Sequence, residues 1–524
     1  LGNEVQMTFT NLFSGQPHIK GGRLRVIGVT SAKRLQAAPD WPTVAESGVP
    51  GYEASIWYGF MLPANTPKPV TDVLHREITG VLKLPDVSQT FVTQGGEVIA
   101  NTPWVPALGI NYSLAADGIS VTLVVLTGLA AVAGVLFSWN VERRTNEFFA
   151  YFFALIGGVY GVFLSLDLFL LFVFYEIAIV PKYFLIAIWG STRREYAAMK
   201  LALYSFIGSG MVLVGMLAAY AISGLGTFDL RTLAHHAFTP EFQQWAFPLV
   251  FVGFAILAGM WPFHTWAPTG HSAAPTAASM LLAGVVMKLG AYGCLRVAMT
   301  LFPVGLKMWQ PEIAALAVTG IVYGALVALV QKDFKFVIGY SSVSHMGFVL
   351  LGLATLNEIG WSGAVLQMFS HGVIAGLLFG VVGRMVYDRA HTRELDQLEA
   401  MGLTRALPFA AVTFVVAGFA SMGLPGFSGF AAEFQVLIGA WQAFPKLAML
   451  AGVGIVIGVV YTLKTTAKVF FPDRAAAADA HHDDHELEPI SVPERLGAAL
   501  LIFCTVLIGL HPRLLLDVIV PSFS

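Results

Sequence analysis

Charge and cysteine are what this sequence has least of. Only 12% of its 524 residues are charged, and the formal net charge is -2. That balance excludes the dense basic patches of a nucleic-acid binder, and there is no acidic tail. The two cysteines, Cys294 and Cys504, stand alone in apolar runs. They supply neither a CxxC knuckle nor an iron–sulfur ligand set, and both read as core residues. No GxGxxG fingerprint follows a strand, so the chain offers no dinucleotide cradle. It begins with Leu1, and no charged segment leads into a short apolar one, so no secretory signal is visible.

Apolar surface, in contrast, is in excess. With 56% hydrophobic residues and a mean hydropathy of +0.71, the chain has more than a soluble core can use and belongs in a bilayer. The character changes near residue 103. Up to Pro103, charged residues are spread throughout and no apolar run approaches the length needed to cross a membrane. From Ala116 onward apolar stretches recur, at 116–138, 148–166, 167–190, 199–223, 246–264, 273–300, 312–331, 336–356, 361–387, 407–442, 446–471 and 497–517. Each is long enough to span as a helix, which satisfies its own backbone polar groups, so the expected fold is an all-α polytopic membrane protein with about twelve transmembrane helices. The short connections carrying Arg143 with Arg144, Arg193 with Arg194, and Lys332 with Lys335 read as falling on both sides of this count, so loop charge gives no orientation. The long polar connection 473–494 contains His481, His482, Asp483, Asp484 and His485. Without ordered ligand spacing it reads as solvated loop rather than a metal site.

Ionisable residues inside the apolar runs carry the functional signal. A charge at mid-membrane costs roughly 2.5–3.5 kcal/mol on insertion scales, so each needs a partner, a wet cavity or a task. Glu176 lies in LDLFLLFVFYEIAIVPKYFLIAIWG, with Lys182 just after Pro181. Lys288 lies in SMLLAGVVMKLGAYG, His345 in YSSVSHMGFVLLG, His371 in LQMFSHGVIAGLLFG and Glu433 in LPGFSGFAAEFQVLIGAW. Glu, Lys and His together are the parts of a proton relay, since burial brings carboxylates and amines toward exchange near neutral pH. The bland alternative is helix-end anchoring or a packed histidine. Pro262, Pro268 and Pro275 punctuate one helix and Pro425-Gly426 another, one break in each half of the chain. Paired breaks of this kind occur where an ion path runs between two repeats.

In order along the chain, WVPALGINYSLAADGIS, the Glu176 helix, PFHTWAPTGHSAAPTAASMLLAGVVMKLGAYG, QKDFKFVIGYSSVSHMGFVLLG and LPGFSGFAAEF resemble the M subunit of bacterial respiratory complex I, within the wider family of Mrp-type cation/proton antiporter subunits. The similarity runs from Trp104 to about Phe471 and more loosely beyond. It implies two inverted five-helix repeats, each with a broken helix, and residence in the bacterial inner membrane among the other membrane-arm subunits of an NADH:quinone oxidoreductase. It also implies that NADH, FMN, iron–sulfur clusters and quinone are handled by other subunits, and that this chain binds no cofactor and holds no redox centre. The resemblance assigns a proton relay to Glu176, Lys288, His345 and Glu433. A glutamate at the last position favours the M type over its antiporter-like siblings. An Mrp-type antiporter or membrane-bound hydrogenase subunit is the alternative the same helices would serve.

Two departures from the family pattern stand out. Leu257 occupies a position the family usually fills with the lysine partner of the Glu176 counterpart, and Thr269-Gly270 precedes His271 where Asp-Ala is usual. A missing partner would leave Glu176 neutral or poorly poised. Lys182, where the family usually has methionine, is a candidate replacement, although six residues of ideal helix put the two on different faces about 9 Å apart along the axis, a gap that the Pro181 kink and the flexible lysine stem could shorten. The alternative is that Lys182 snorkels to an interface.

The segment IKGGRLRVIGVTSAKRLQAAPDWPTVAESGVPGYEASIWYGFMLPANTPKPV is similar to the C-terminal half of tripartite tricarboxylate transporter substrate-binding proteins, up to about Pro103. It implies a small α/β fragment of a periplasmic-binding-protein-like fold that lacks its other lobe, so ligand binding by this piece is not expected. The family pattern also has two further transmembrane helices before WVPALGINYSL. The expectation is a junction of two unrelated coding sequences at residues 1–103 and 104–524.

Overall fold

The computed structural model describes residues 97–472 and 487–523, with the isolated positions 25, 27, 42, 44, 46 and 47; side chains in the first of these spans are described from residue 102. The rest of the receptor-like segment and the histidine cluster at 481–485 lie outside the described residues. The chain divides into two units, Leu1–Glu97 and Val98–Ser524, and the second is the membrane body.

This unit opens with two paired strands, β1 (Glu97–Val105) and β2 (Ile110–Ala116). Asp117 then caps α1 (Gly118–Phe137) by accepting from the Ser120 N–H. There follow α2 (Thr145–Leu164), α3 (Leu168–Trp189), α4 (Arg194–Ser223), α5 (Pro240–Ala258), the short α6 (Trp266–Ala273) and α7 (Thr276–Met299). The second half has α8 (Pro303–Val330), α9 (Phe334–Ala354), α10 (Glu358–Ala390), α11 (Pro408–Ser421), α12 (Ser428–Ala443), α13 (Pro445–Phe470) and α14 (Val492–Leu510). Among the described residues, eleven helices are long and apolar enough to cross a membrane, and the split pair α11 and α12 supplies a twelfth crossing, in agreement with the expectation. α7 and α10 are buried along their whole apolar length, whereas α13 shows most of its surface to the outside. The centre of the protein is therefore the α7–α10 contact.

Two inverted repeats are visible in the hydrogen bonding. Asp167 caps α3 and pairs across an isolated bridge with Asp229; Asp333 caps α9 and pairs in the same way with Glu394. The flanking bonds correspond too. Leu168 and Leu230 N–H donate to Phe228 and Leu166 carbonyls, and Phe334 and Leu395 N–H donate to Arg393 and Lys332 carbonyls. Burial raises both aspartate carboxyls above their usual range, offset in part by the helix-start N–H groups, and at Asp333 by Arg393. Each repeat contains five crossings, α2 to α7 and α8 to α13, and an odd number of crossings turns the second copy upside down in the membrane.

Both broken helices end on the same device. The α5 helix stops at Gly259 (φ 81°), where the N–H groups of Gly259 and Met260 return to Ile256 and Ala255 carbonyls. Helix α11 stops before Gly423 (φ 72°), where Gly423 and Leu424 return to Ala420 and Phe419. This is the Schellman closure, which needs the left-handed conformation that glycine adopts without strain.

The connections sort cleanly onto two faces. Trp189 Nε1 donates to Arg143 O (2.7 Å), Arg393 reaches Ser191 Oγ (3.2 Å) and Ser272 O (2.7 Å), and Phe334 N–H meets Arg393 O. These contacts place connections 138–144, 190–193, 331–333 and 391–407 on one face. On the other, Asn111 N–H meets Asp167 (2.9 Å), Phe228 N–H meets Gly109 O, and Gly118 N–H meets Ser522 Oγ (3.0 Å). The expectation that basic connections fall on both sides is therefore corrected. Arg143, Arg144, Arg193, Arg194, Lys332, Arg393 and Arg405 share one face, because each connection involved follows an odd number of crossings.

Candidate functional site

Four of the residues singled out in the sequence meet at the centre of the molecule. Lys288 is fully buried on α7, and its ammonium donates to the Ala283 carbonyl and contacts His371 Nδ1 on α10 at 2.7 Å. A π turn, Leu282–Val286, precedes it, and such a turn shifts the carbonyl register so that a side chain can reach a backbone oxygen; π turns recur at functional positions. His371 lies beside His345 of α9, ring centroids 5.5 Å apart. His345 Nδ1 then meets Glu433 Oε1 of α12 at 2.7 Å, and its Nε2 meets Ser421 Oγ at 3.1 Å. Gln367 Nε2 donates to the same Glu433 oxygen at 3.1 Å. A void of about 10 Å³ is bounded by His345, Gln367, Ser370, His371, Ser421 and Glu433. That is about the smallest volume that admits one water, and its polar lining suits one.

The spatial order is thus Lys288, His371, His345, Glu433, with His371 between two residues that are neighbours in the sequence reading. The chemistry of the contacts is directional. An ammonium has only donors, so a charged Lys288 makes His371 Nδ1 an acceptor and leaves the ring proton on Nε2. A carboxylate only accepts, so Glu433 draws a proton onto His345 Nδ1. A proton handed from Lys288 to His371 reverses the first contact and presents a charged ring to His345.

Glu176 and Lys182 stand apart from this chain. Both lie on α3, where Glu176 is half-buried with Oε1 unpartnered, and Lys182 is fully buried with Nζ unpartnered. The two side chains form no ion pair with each other. The snorkelling alternative for Lys182 is overturned, because no part of its ammonium reaches the surface. Leu257, at the end of α5, is a buried apolar residue.

Sequence reasoning passed over His271, Gln367 and Ser421. His271 is fully buried in the short helix α6 with both ring nitrogens unpartnered. Its place between two proline breaks was the available signal. Gln367, one turn before His371 on the same helix, could have been found from that spacing. On the basic face, a cavity of about 370 Å³ opens at the α6–α7 junction, lined by Ser138, Asn140, Ser191, Ala274, Lys335, Arg384 and Asp388 among others.

A membrane bundle of two inverted repeats with paired broken helices and a buried line of lysine, histidines and glutamate defines a class, that of antiporter-like subunits of ion-translocating complexes. Residues 165–458 match the model of the NADH:quinone oxidoreductase/Mrp antiporter transmembrane family, and the chain belongs to that family. It is 38% identical over 443 residues to NADH-quinone oxidoreductase subunit M of Rhodobacter capsulatus, covering 82% of this chain and 84% of the relative. It is likewise 38% identical to subunit M of Pseudomonas aeruginosa, covering 79% and 82%. Among solved structures, respiratory complex I from Thermus thermophilus superposes with a TM-score of 0.75 at 29% identity, covering 86% of this chain and 93% of the other. The Mrp complex from Dietzia shares the fold, with a TM-score of 0.71 at 21% identity, covering 87% and 92%. Residues 1–103 match the tripartite tricarboxylate transporter family receptor.

Proposed function

We propose that this chain is the proton-translocating M-type membrane subunit of an NADH:quinone oxidoreductase, moving protons while the redox reaction runs in other subunits. The observation that carries this reading is the close succession of Lys288, His371, His345 and Glu433, hydrogen-bonded at each end and joined in the middle by neighbouring imidazole rings 5.5 Å apart. Protons pass along it electrostatically, a change of protonation at one group altering the proton affinity of the next. Glu176 is the relay's other member, on α3. The M-type relatives favour this reading over cation/proton exchange in an Mrp-type antiporter, whose structural neighbour shares the fold at lower identity.

Orientation follows from the charge on the connections. Basic residues are retained on the cytoplasmic side of a bacterial inner membrane, so the face carrying Arg143, Arg144, Arg193 and Arg194 is cytoplasmic. The 370 Å³ cavity then opens to the cytoplasm three residues from His271 in the chain, a natural mouth for proton uptake.

The test is proton translocation per quinone reduced in inverted membrane vesicles carrying the assembled complex. Lys288→Met and Glu433→Gln each remove a charge-assisted hydrogen bond worth ~1.5–3 kcal/mol, and translocation is expected to fall about tenfold or more. Full translocation by both variants would overturn the reading.

A further inference from the structure

Three buried hydroxyls lead away from the central chain to a helix that belongs to neither repeat. Ser370 lies beside His371 on α10, Ser428 opens α12 just past the break, and Thr505 lies on α14; all three are fully buried. Ser370 Oγ meets Ser428 Oγ at 2.8 Å, and Ser428 Oγ meets Thr505 Oγ1 at 2.9 Å. In each bond either oxygen can donate, because a hydroxyl carries one donor and two acceptor sites. Such a row can pass a proton along and turn over afterwards.

The two ends of the row fit this use. Ser370 lines the small void shared with His345, Gln367, His371 and Glu433, and two buried atoms of those residues, His371 Nε2 and Gln367 Oε1, have no protein partner. One water in that void would have a donor, an acceptor and a hydroxyl among its neighbours. At the other end, Thr505 is five residues short of the end of α14 at Leu510, about 7.5 Å along the axis. α14 begins on the basic face, where its Glu494 pairs with Arg384, and so ends on the opposite one. Its last turn packs onto the break itself, since a Cβ on Gly509 would clash with the backbone of Gly426 and Phe427. His511 and Arg513, directly beyond, are exposed. Hydroxyls between membrane helices also serve simply as ties. A tie needs one pair, whereas here three stand in a row and the first borders the relay's own void.

We propose that Ser370, Ser428 and Thr505 form a proton-release wire from the central relay to the non-cytoplasmic side. A proton arriving from the void binds the Ser370 oxygen as the Ser370 proton passes to Ser428, the Ser428 proton to Thr505, and the Thr505 proton to water at the last turn of α14. Each oxygen gains one O–H bond and loses one, so no charge stays on the row, and rotation of the three hydroxyls resets it. The wire rests on the proton-translocating reading above and gives the relay an outlet through a helix outside the repeats.

The experiment measures translocation per quinone reduced, in inverted vesicles carrying the assembled complex, for Ser428→Ala, Thr505→Val, Thr505→Ser and the Ser428→Ala/Thr505→Val double variant, with complex content followed by native gel and thermal inactivation measured alongside. Ser428→Ala and Thr505→Val remove a hydroxyl with little change of shape, and each is expected to lower translocation about tenfold or more. Thr505→Ser restores the hydroxyl and is expected to rescue most of it. The double variant is expected to lose no more than the worse single one, since a wire is cut only once. Should Ser428→Ala fail to assemble, the contrast between Thr505→Val and Thr505→Ser decides. Wild-type translocation per quinone in Thr505→Val, whatever its thermal stability, would overturn the proposal and leave the hydroxyls as ties between helices; so would equal loss in Thr505→Val and Thr505→Ser. Lys288→Met in parallel separates the two levels. If it abolishes translocation while Ser428→Ala and Thr505→Val do not, the wire falls and the relay stands; if it too translocates normally, the relay itself falls.

Discussion

At the scale of the residue, the centre of the protein is a set of contacts whose distances decide what each side chain can do. Glu433 accepts from both His345 and Gln367 on one oxygen, so its charge is held by two donors from two helices. Gln367 carries no proton of its own to exchange, and its contribution is to fix that carboxylate. Gln367→Leu is therefore expected to lower translocation by about three- to tenfold, less than Glu433→Gln, because a bond to a charged group is lost while the His345 contact survives. Equal loss in the two variants, in the vesicle assay, would show that Gln367 does more than position. The same logic separates His371 from an ordinary packed histidine. Its Nδ1 is engaged by Lys288 while Nε2 has no protein partner and faces the neighbourhood of the small polar void.

At the scale of the element, the proposed relay makes the approach of α7 and α10 a point to test. A Cβ on Gly372 would lie 2.6 Å from the Gly284 carbonyl oxygen and 2.6 Å from Leu126 Cδ1, and one on Gly284 would lie 3.1 Å from the Gly372 oxygen. Gly372 directly follows His371, so the two helices touch backbone to backbone beside the Lys288–His371 contact. Gly372→Val must push them apart. Overpacking of this kind costs about 1–3 kcal/mol, and the expected result is a lower thermal inactivation temperature of the complex together with weakened translocation. If stability falls while translocation per quinone is unchanged, the helix separation does not govern the relay. The breaks at Gly259 and Gly423 act at this scale too, ending α5 and α11 inside the bundle and allowing α6 and α12 to carry His271 and Glu433 to its centre.

At the scale of the whole molecule, topology gives the membrane a polarity that individual loops do not show. With all the basic connections noted above on one face, single cysteines at Arg144 or Arg193 are expected to react with an impermeant maleimide only from the cytoplasmic side, and one at His236 only from the other. The native Cys294 and Cys504 are buried and are expected to stay unlabelled in intact membranes. Reversed labelling would overturn the orientation while leaving the fold and the relay untouched.

Much of this protein was legible in its sequence. The bilayer imposes one rule, that a crossing must be a helix with few charges, so hydropathy alone located twelve crossings and exposed Glu176, Lys288, His345, His371 and Glu433 as residues retained against their insertion cost. Proline and glycine marked the two broken helices because both act through the local backbone. What the sequence could not determine was adjacency between helices far apart in the chain. Lys288 meets His371 across 83 residues, and His345 meets Glu433 across 88. Neither the insertion of His371 ahead of His345 nor the arrival of Gln367 at Glu433 leaves a periodicity to read. The burial of Lys182 belongs to the same class: a long amine beside a proline could equally have reached the interface, and only the packing around α3 encloses it, because burial is a property of all the neighbours at once and not of the residue that is buried.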